Sequence, residues 1–202
     1  GGCMLRIGLL TSGGDCQALN ATMRGIVKTL YNKSNETVEI YGFEDGYQGM
    51  IYGRYRKMTS HDFSGILTRG GTILGTSRTP FKRIDTPEAD GVEKVPAMIK
   101  TYKQLHLDCL FTLGGNGSLK TANRLSQEGL NVIGLPKTID NDTWGTEMTS
   151  ASRVLLRLPP SASTTSIPPR ARTAASSSSR SWVTRWAGFR CMRAWLAAPT
   201  SS

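Results

Sequence analysis

Up to residue 147 the chain alternates apolar, strand-like runs with helical patterns of apolar residues. Strands are predicted at residues 5–10, 37–43, 107–113 and 132–135, and helices at 19–31, 61–69, 92–105 and 118–127. The glycine-punctuated stretch 70–77 predicts a turn and one more strand. Alternating units of this kind place parallel strands in one sheet with helices on both faces. We therefore expect an α/β fold with three layers, α/β/α, and a mainly parallel sheet.

Two glycine-rich turns each join a predicted strand to a predicted helix. Residues 11–15 read Thr-Ser-Gly-Gly-Asp, and residues 113–118 read Leu-Gly-Gly-Asn-Gly-Ser. Glycine lets backbone N–H groups come close to an anion, and the N-terminus of the following helix adds partial positive charge. One such turn can serve strand-to-helix geometry alone, but two in one chain indicate a phosphate-handling α/β enzyme. Neither turn has the Gly-Lys-Ser/Thr of a P-loop or the third glycine of the dinucleotide fingerprint.

A third loop carries paired acidic side chains. Residues 136–142 read Pro-Lys-Thr-Ile-Asp-Asn-Asp and follow an apolar run at 131–135. Asp140 and Asp142 are two positions apart, so on an extended backbone both carboxylates lie on one face. One can accept a proton while the other holds a cation, as phosphoryl transfer to a hydroxyl requires. The alternative is an acidic turn that only caps a helix. Because ligands bind at the carboxyl ends of parallel strands, all three loops can converge on one crevice.

The formal net charge of +10 belongs to the C-terminal part of the chain. Residues 149–202 contain eight arginines and no lysine, aspartate or glutamate, which gives +8, whereas residues 1–148 sum to +2. This distribution argues against a nucleic-acid partner. No apolar stretch reaches the roughly 18 residues of a membrane span, and the apolar run at 7–10 is too short for a signal peptide. The four cysteines lack metal-ligand spacing, so we expect a reduced, cytoplasmic protein without membrane or nucleic-acid partners.

Residues 150–202 differ in composition from the rest of the chain. They consist mainly of Ser, Arg, Ala, Pro, Thr and Leu, and two Pro-Pro pairs break any helix. The stretch could be a disordered linker, a basic arm for nucleic acid, or a translation outside its proper reading frame. The absence of Asp, Glu and Lys favours the third interpretation. We therefore expect an N-terminal α/β domain at 4–149 and a low-complexity, disordered tail at 150–202.

The reading-frame hypothesis can be checked against the genetic code. Suppose that the proper frame takes the last base of each codon and two bases of the next. Trp182 followed by Val183 then forces glycine. Trp186 followed by Ala187 forces a second glycine four positions later. The neighbouring codons permit Met-Gly-His-x-x-Gly, and the slip would begin near Thr149.

Together these motifs resemble the 6-phosphofructokinase family. The resemblance rests on residues 11–15, 75–78 (Gly-Thr-Ser-Arg), 114–118 and 136–142, in this order. The shifted Met-Gly-His-x-x-Gly resembles the next sugar-phosphate motif of that family. The visible resemblance covers residues 4–149, roughly the first half of a family member. It implies a phosphofructokinase-like three-layer fold that is incomplete in this chain.

The resemblance also implies an activity. The family transfers a phosphoryl group from ATP, with Mg²⁺, to the 1-hydroxyl of fructose 6-phosphate, giving fructose 1,6-bisphosphate in glycolysis. An intact member is expected to be an allosteric homo-oligomer. By this resemblance Asp140 is the general base and Thr138 donates to the phosphoryl-accepting end of the sugar, so both bind the substrate. Arg78 neutralises charge on the transferring group as a third catalytic residue, and Asn116 and Asp142 hold the magnesium ion.

The donor phosphates would lie against both glycine turns and the residues around them. The resemblance assigns to this donor site Gly13, Gly14, Asp15, Arg78, Thr79, Gly115, Asn116, Gly117, Ser118 and Lys137. Asn116 departs from the usual Asp of the family, and its amide keeps an oxygen ligand but loses the negative charge. Gly117 leaves room for the α-phosphate of a nucleotide, whereas Lys137 resembles pyrophosphate-using and some ATP-using members. We favour ATP, with pyrophosphate as the alternative, because no acidic residue stands at position 117.

Other functions stay open at this point. Because the sugar-phosphate site of the family needs residues from its second half, we expect the chain as written to be inactive. One alternative is a non-catalytic phosphate-binding domain with a basic nucleic-acid arm. Another is an enzyme similar to diacylglycerol or NAD kinases, against which residues 136–142 argue. Tyr47, within the family-like stretch 43–49, either lines the nucleotide pocket or is a core tyrosine with a bonded hydroxyl.

Overall fold

We describe the protein from a computed structural model. The structure describes residues 4–16, 18–34 and 37–137, all within the first of the two units into which the chain divides, 1–155. Thr138, Asp140, Asp142 and the tail at 150–202 lie outside the described residues. No helix in the described part is both long enough and apolar enough to cross a membrane.

Five strands and four α-helices follow one another along the described chain. They are β1 (Met4–Thr11), α1 (Ala18–Lys33), β2 (Thr37–Phe43), α2 (Tyr47–Tyr52), β3 (Tyr55–Met58), α3 (Lys94–Gln104), β4 (Cys109–Gly114), α4 (Asn116–Gln127) and β5 (Val132–Pro136). Three short 3-10 turns lie between β3 and α3, at Ser60–Phe63, Ile66–Thr68 and Phe81–Arg83.

The strands form one sheet in the order β3-β2-β1-β4-β5. β1 is parallel to both β2 and β4, β4 is parallel to β5, and only β3 runs antiparallel, against β2. From β1 the sheet therefore grows first to one side and then to the other. Because parallel crossovers are right-handed, α1 and α4 cover opposite faces of the sheet. The point where the growth reverses, between β1 and β4, is where such sheets open a crevice at the carboxyl ends of their strands.

Each face of the sheet has its own buried layer. Leu10, Phe43 and Leu110 pack on the face that carries α2, α3 and α4, together with Met98 and Leu125 of those helices. The buried side chains of Ile7 and Leu9 point to the other face because strand residues alternate. Leu19, Met23 and Val27 are buried on α1. The expected three-layer α/β/α fold with a mainly parallel sheet is confirmed.

Local departures from the expected pattern lie between β2 and α3. The helix expected at 61–69 is instead two 3-10 turns, separated at Gly65, whose φ of 68° breaks a right-handed helix. The strand expected within 70–77 is wrong: this segment forms no ladder and bonds to loops at the end of the sheet. α2 and β3 were not predicted from the sequence. The chain reverses direction between them through Gly53, whose backbone is in the left-handed region.

Tyr47 is a core residue that ties α2 to α4. Its side chain is fully buried, and its hydroxyl donates a hydrogen bond to the Ser118 carbonyl oxygen at 2.8 Å. This burial raises the pKa of the Tyr47 phenol. Of the two interpretations from the sequence, the structure supports the core tyrosine with a bonded hydroxyl.

A methyl group at Gly49 should destabilise the fold. A Cβ there would overlap the Glu44 carbonyl oxygen and lie 2.8 Å from that of Arg54, and backbone atoms cannot turn aside. We expect Gly49→Ala to cost about 2–3 kcal/mol of unfolding free energy, measured by urea unfolding followed by circular dichroism. Gly25→Ala on α1 is the matched control, since its Cβ meets nothing within 4 Å and should stabilise by about 0.5–1 kcal/mol. Equal effects of the two variants would contradict this account of the α2 turn.

Tyr47→Phe should destabilise the protein by about 1 kcal/mol at pH 7, because the hydrogen bond from its hydroxyl to the Ser118 carbonyl oxygen is lost. Above pH 10 the deficit should narrow. The pKa of Tyr47 is raised in the folded protein, so above pH 10 this phenol ionises only in the unfolded state. The unfolding free energy of the wild type therefore falls by about 1.4 kcal/mol per pH unit. The variant has no such loss, because phenylalanine does not ionise. Urea unfolding of both proteins at pH 7 and pH 10.5 measures the difference, and a deficit that grows with pH would refute the buried phenol.

Candidate functional site

The loops after β1, β4 and β5 meet at one end of the sheet. Thr11 is in register with Leu113, and Gly114 with Pro136, so the three strands end side by side. The Ser12 amide donates to the Leu113 carbonyl oxygen at 2.8 Å. The Lys137 amide donates to the Gly114 carbonyl oxygen, also at 2.8 Å. The predicted convergence of the loops is confirmed for the part of the chain up to Lys137.

Gly114 is the residue that allows β1 and α4 to approach each other. A Cβ at this position would lie 2.5 Å from both the Cβ and Oγ of Ser118 and 2.9 Å from the Ser12 carbonyl oxygen. Gly13 faces the same region with a φ of 90°, which side chains rarely adopt. Any side chain at 114 would therefore push the two glycine turns apart.

The N-terminus of α4 opens into this crevice. The helix begins at Asn116, after Gly115, and no side chain caps it. The first backbone N–H groups of a helix have no partner inside the helix, so they and the helix dipole attract an anion. Asn116 and Gly117 are exposed, and a Cβ on Gly117 would meet nothing within 4 Å. Ser118, by contrast, is buried beneath this first turn.

Lys137 places a buried ammonium group between the two glycine turns. The side chain is 9% exposed, and its Nζ donates a hydrogen bond to the Gly14 carbonyl oxygen. No carboxylate among the described residues forms an ion pair with it. A buried charge without a counter-charge is costly, so this position favours a bound anion.

Arg78 is attached to the same end of the sheet through its neighbour. The carbonyl oxygen of Ser77 accepts a hydrogen bond from the Gly13 amide at 3.1 Å. The Arg78 side chain is exposed and has no hydrogen bond or ion pair within the described ranges, so its guanidinium is free for a ligand. Thr79 is buried, and its hydroxyl has no partner among the residues described.

The carboxylate of Asp15 is engaged by the backbone. Its Oδ1 accepts a hydrogen bond from the Thr72 amide at 2.7 Å, and a Cβ on Gly71 would overlap its other oxygen. This contact anchors the segment that precedes Arg78. The role of Asp15 at the donor phosphates stays a prediction, since no phosphate contact is described for it.

Asn116 is the one magnesium ligand of the predicted pair that falls within the described residues. Its exposed side chain makes no hydrogen bond there, and a neutral amide oxygen is a donor that Mg²⁺ accepts. Within residues 4–137, as far as described, no three His, Cys, Asp or Glu side chains cluster as metal ligands. The carboxylate ligand of such a site would thus come from Asp142, beyond the described part.

A second concave feature, with no counterpart in the predictions from the sequence, lies between the start of α3 and the C-terminal end of α4. A cavity of about 290 Å³ is bounded by Ile84, Asp85, Glu93, Lys94, Val95, Pro96, Ile99, Arg124 and Glu128. Arg124 forms ion pairs with Glu128 at 3.2 Å and Asp85 at 3.9 Å, and its Nε is buried without a described partner. Gly117 and Arg124 are seven residues apart, so both lie on one face of α4, about 10 Å apart. The lining comes from three separate segments of the chain, so no local pattern in the sequence marks this cavity.

Comparison with known proteins points to one family. The family model described as phosphofructokinase matches residues 6–198. The ATP-dependent 6-phosphofructokinase of Spirochaeta thermophila is 58% identical over 146 residues, covering 70% of this chain and 39% of the relative. ATP-dependent 6-phosphofructokinase 3 of Bacteroides thetaiotaomicron is 43% identical over 145 residues, covering 71% of this chain and 42% of the relative. The chain thus spans about two fifths of the length of the curated relatives that it matches.

Solved structures agree with the sequence matches. The T-state crystal structure of Pichia pastoris phosphofructokinase superposes with a TM-score of 0.63 at 28% identity, over 75% of this chain and 17% of that one. The pyrophosphate-dependent phosphofructokinase of Marinobacter aquaeolei gives 0.59 at 21% identity, over 70% and 36%, which supports the fold alone. Because the family model matches nearly the whole sequence and the glycine turns meet as its motifs imply, this chain belongs to the phosphofructokinase family.

Proposed function

We propose that this chain supplies the donor-phosphate site of an ATP-dependent 6-phosphofructokinase, which phosphorylates the 1-hydroxyl of fructose 6-phosphate to fructose 1,6-bisphosphate in glycolysis. The observation that carries the proposal is the buried ammonium of Lys137, which lies between the two glycine turns without a described counter-charge. The N-terminal N–H groups of α4 belong to the same end of the sheet, as does the guanidinium of Arg78, which has no partner in the described part of the chain. Together they provide the positive charge that a polyphosphate donor needs.

ATP rather than pyrophosphate is the proposed donor. The open space around Gly117 leaves room for a third phosphate and the sugar of a nucleotide. The groove along α4 beside Arg124 lies about 10 Å further on, at the distance where a base would follow its phosphates. Its apolar residues, such as Ile84 and Val95, suit a planar ring. The curated relatives quoted above carry names that specify ATP.

The chemical step is proposed to take place at residues 138–142. Asp140 would take the proton from the 1-hydroxyl while Thr138 orients the phosphoryl-accepting end of the sugar. Arg78 would hold the oxygens of the transferring group with its planar fork. Asn116 and Asp142 would hold Mg²⁺, which supplies positive charge to the donor phosphates. Gly13 and Gly115 would let backbone N–H groups come close to those phosphates. The intact enzyme would be a cytoplasmic, allosteric homo-oligomer without membrane or nucleic-acid partners.

The tail at 150–202 is proposed to be translated outside its frame, so the chain as written should not turn over substrate. The composition of the tail supports this proposal. So do the pairwise matches to the relatives, which cover about 145 residues. The family model, in contrast, extends to residue 198. The nucleotide sequence around codons 148–152 tests the proposal. A single reading frame that encodes the tail as the native continuation in related genes would overturn it.

The donor choice can be tested by binding to the 202-residue chain. Titration calorimetry should give a tighter complex with Mg-ATP than with Mg-pyrophosphate. Gly117→Asp should weaken ATP at least tenfold and pyrophosphate much less, because the new carboxylate meets the α-phosphate. Asn32→Asp adds the same charge at an exposed position of α1, on the opposite face of the sheet, and is the matched control. A nucleotide donor would be contradicted if Gly117→Asp lowered the affinity for ATP and for pyrophosphate equally. It would also be contradicted if the control variant lowered the affinity for ATP as much as Gly117→Asp.

The proposed base can be tested on a chain in which the reading frame has been restored. Asp140→Asn should lower kcat by about 10²–10⁴-fold, with a smaller change in KM for ATP, because a positioned proton acceptor is lost. Glu44→Gln, an exposed carboxylate outside the proposed chemistry, is the control. A coupled assay for fructose 1,6-bisphosphate measures both constants. Unchanged kcat in Asp140→Asn would reject the assignment.

A further inference from the structure

An irregular segment, residues 66–77, crosses the carboxyl ends of β1 and β2 and leads directly into Arg78. We refer to it as the strap. Apart from the 3-10 turn Ile66–Thr68, it has no regular secondary structure and no strand partner. Its backbone N–H and C=O groups must therefore find other partners where they are shielded from water.

Asn20, on the first turns of α1, supplies those partners in the first half of the strap. Its side chain is fully buried. The amide nitrogen donates to the carbonyl oxygens of Gly71 at 2.6 Å and Ile66 at 3.2 Å, with a longer contact of 3.5 Å to that of Arg69. The amide oxygen accepts from the Ile73 N–H at 3.0 Å. Both ends of the side chain are thus bonded to backbone groups of the strap.

The second half of the strap is bonded to β1 and its glycine turn. The Thr11 hydroxyl donates to the Gly75 carbonyl oxygen at 2.7 Å. The Thr76 hydroxyl donates to the Gly13 carbonyl oxygen at 2.7 Å, and the Gly13 amide returns a bond to Ser77. A continuous set of hydrogen bonds therefore runs from Asn20 along the strap to the glycine turn and to the residue before Arg78.

We propose that Asn20 is a positioning residue for the donor site: it fixes the strap, and through the strap it fixes the Gly13 turn and Arg78. The proposal rests on the proposed donor-phosphate function. Asparagine suits the position because one short side chain offers both donors and an acceptor. An apolar side chain would leave buried carbonyl and N–H groups unpaired, whereas a carboxylate would face the carbonyl oxygens.

The test compares Asn20→Asp with wild type in the full 202-residue chain. The variant keeps the shape and the acceptor for the Ile73 N–H but loses the donors. We expect at least tenfold weaker binding of Mg-ATP and of Mg-pyrophosphate. Hydrogen exchange should quicken at Thr72 and Ile73 while amides of β1 and β4 stay protected. The matched control is Thr22→Val, because the Thr22 hydroxyl donates to the Ala18 carbonyl oxygen within α1 and to no other group in the described part of the chain.

Lowering the pH provides a rescue that a general loss of packing would not show. The carboxyl introduced by Asn20→Asp is buried among carbonyl oxygens, so its pKa should be raised, and its protonated form is again a donor. Between pH 8 and pH 5.5 the affinity of the variant should recover towards that of wild type measured at the same pH. The Asp15 carboxylate also contacts the strap, but it is present in both proteins and cancels in the ratio.

A second variant separates the strap from its contact with the glycine turn. Thr76→Val removes the hydroxyl that bonds to Gly13 but leaves Asn20 untouched, so ligand affinity should fall while the Ile73 amide stays protected. Two results for Asn20→Asp would overturn the proposal. One is faster hydrogen exchange at Thr72 and Ile73 with unchanged ligand affinity. The other is unchanged hydrogen exchange at these two amides. If wild type binds neither ligand, the donor-site proposal itself fails, and Asn20 is then rejected as a positioning residue.

Discussion

The close approach of the β1 loop to the first turn of α4 is the contact on which the candidate site depends. It is possible because position 114 has no side chain, and a Cβ there would meet both Ser118 and the Ser12 carbonyl. The parallel pairing of β1 with β4 brings these two loops together at the reversal of the sheet order. Lys137, delivered by β5, then fills the space between them. The meeting of the two loops is thus a consequence of strand order and of the missing side chain at Gly114.

The charges at this end of the sheet are arranged for a ligand that brings its own negative charge. Lys137 is buried with a carbonyl oxygen as its partner, and Arg78 has no partner within the described residues. The Asp15 carboxylate is bonded to the strap, and the Asp45 carboxylate forms an ion pair with Arg54. In most proteins a buried ammonium is matched by an acid, because the desolvation cost is otherwise uncompensated. Asn116 also favours an anionic ligand, since a neutral amide at the N-terminus of α4 leaves the electrostatic potential there more positive than an aspartate would. In the proposed function the same amide would leave Mg²⁺ more dependent on Asp142, so the gain for the phosphates would be offset by weaker metal binding.

Regular elements with strong patterns could be predicted from the sequence, and those defined by tertiary contacts could not. β1, β4 and α4 have apolar runs or helical periodicity of sufficient length, and their glycine turns are local signals. β3 lacks such a signal because Tyr55, Arg56 and Lys57 are all exposed, and it becomes a strand only by pairing with β2. The stretch 72–74 (Thr-Ile-Leu) resembles a strand because β-formers are concentrated there, but its N–H groups donate to side chains and not to a neighbouring strand. The groove at Arg124 combines three segments distant in sequence, which no local pattern can reveal.

The strap shows why buried polar residues outside a site can still determine it. A segment without a ladder has to satisfy its backbone through side chains, and Asn20, Thr11 and Asp15 do so from the elements beneath it. Each of these side chains is therefore fixed by the backbone that it bonds, and the backbone is fixed in return. Apolar packing alone could hold the strap near the sheet, but it could not set the rotation that turns the Ser77 carbonyl towards Gly13. Directional hydrogen bonds supply that rotation, and this explains why polar groups are buried here at a real cost in desolvation.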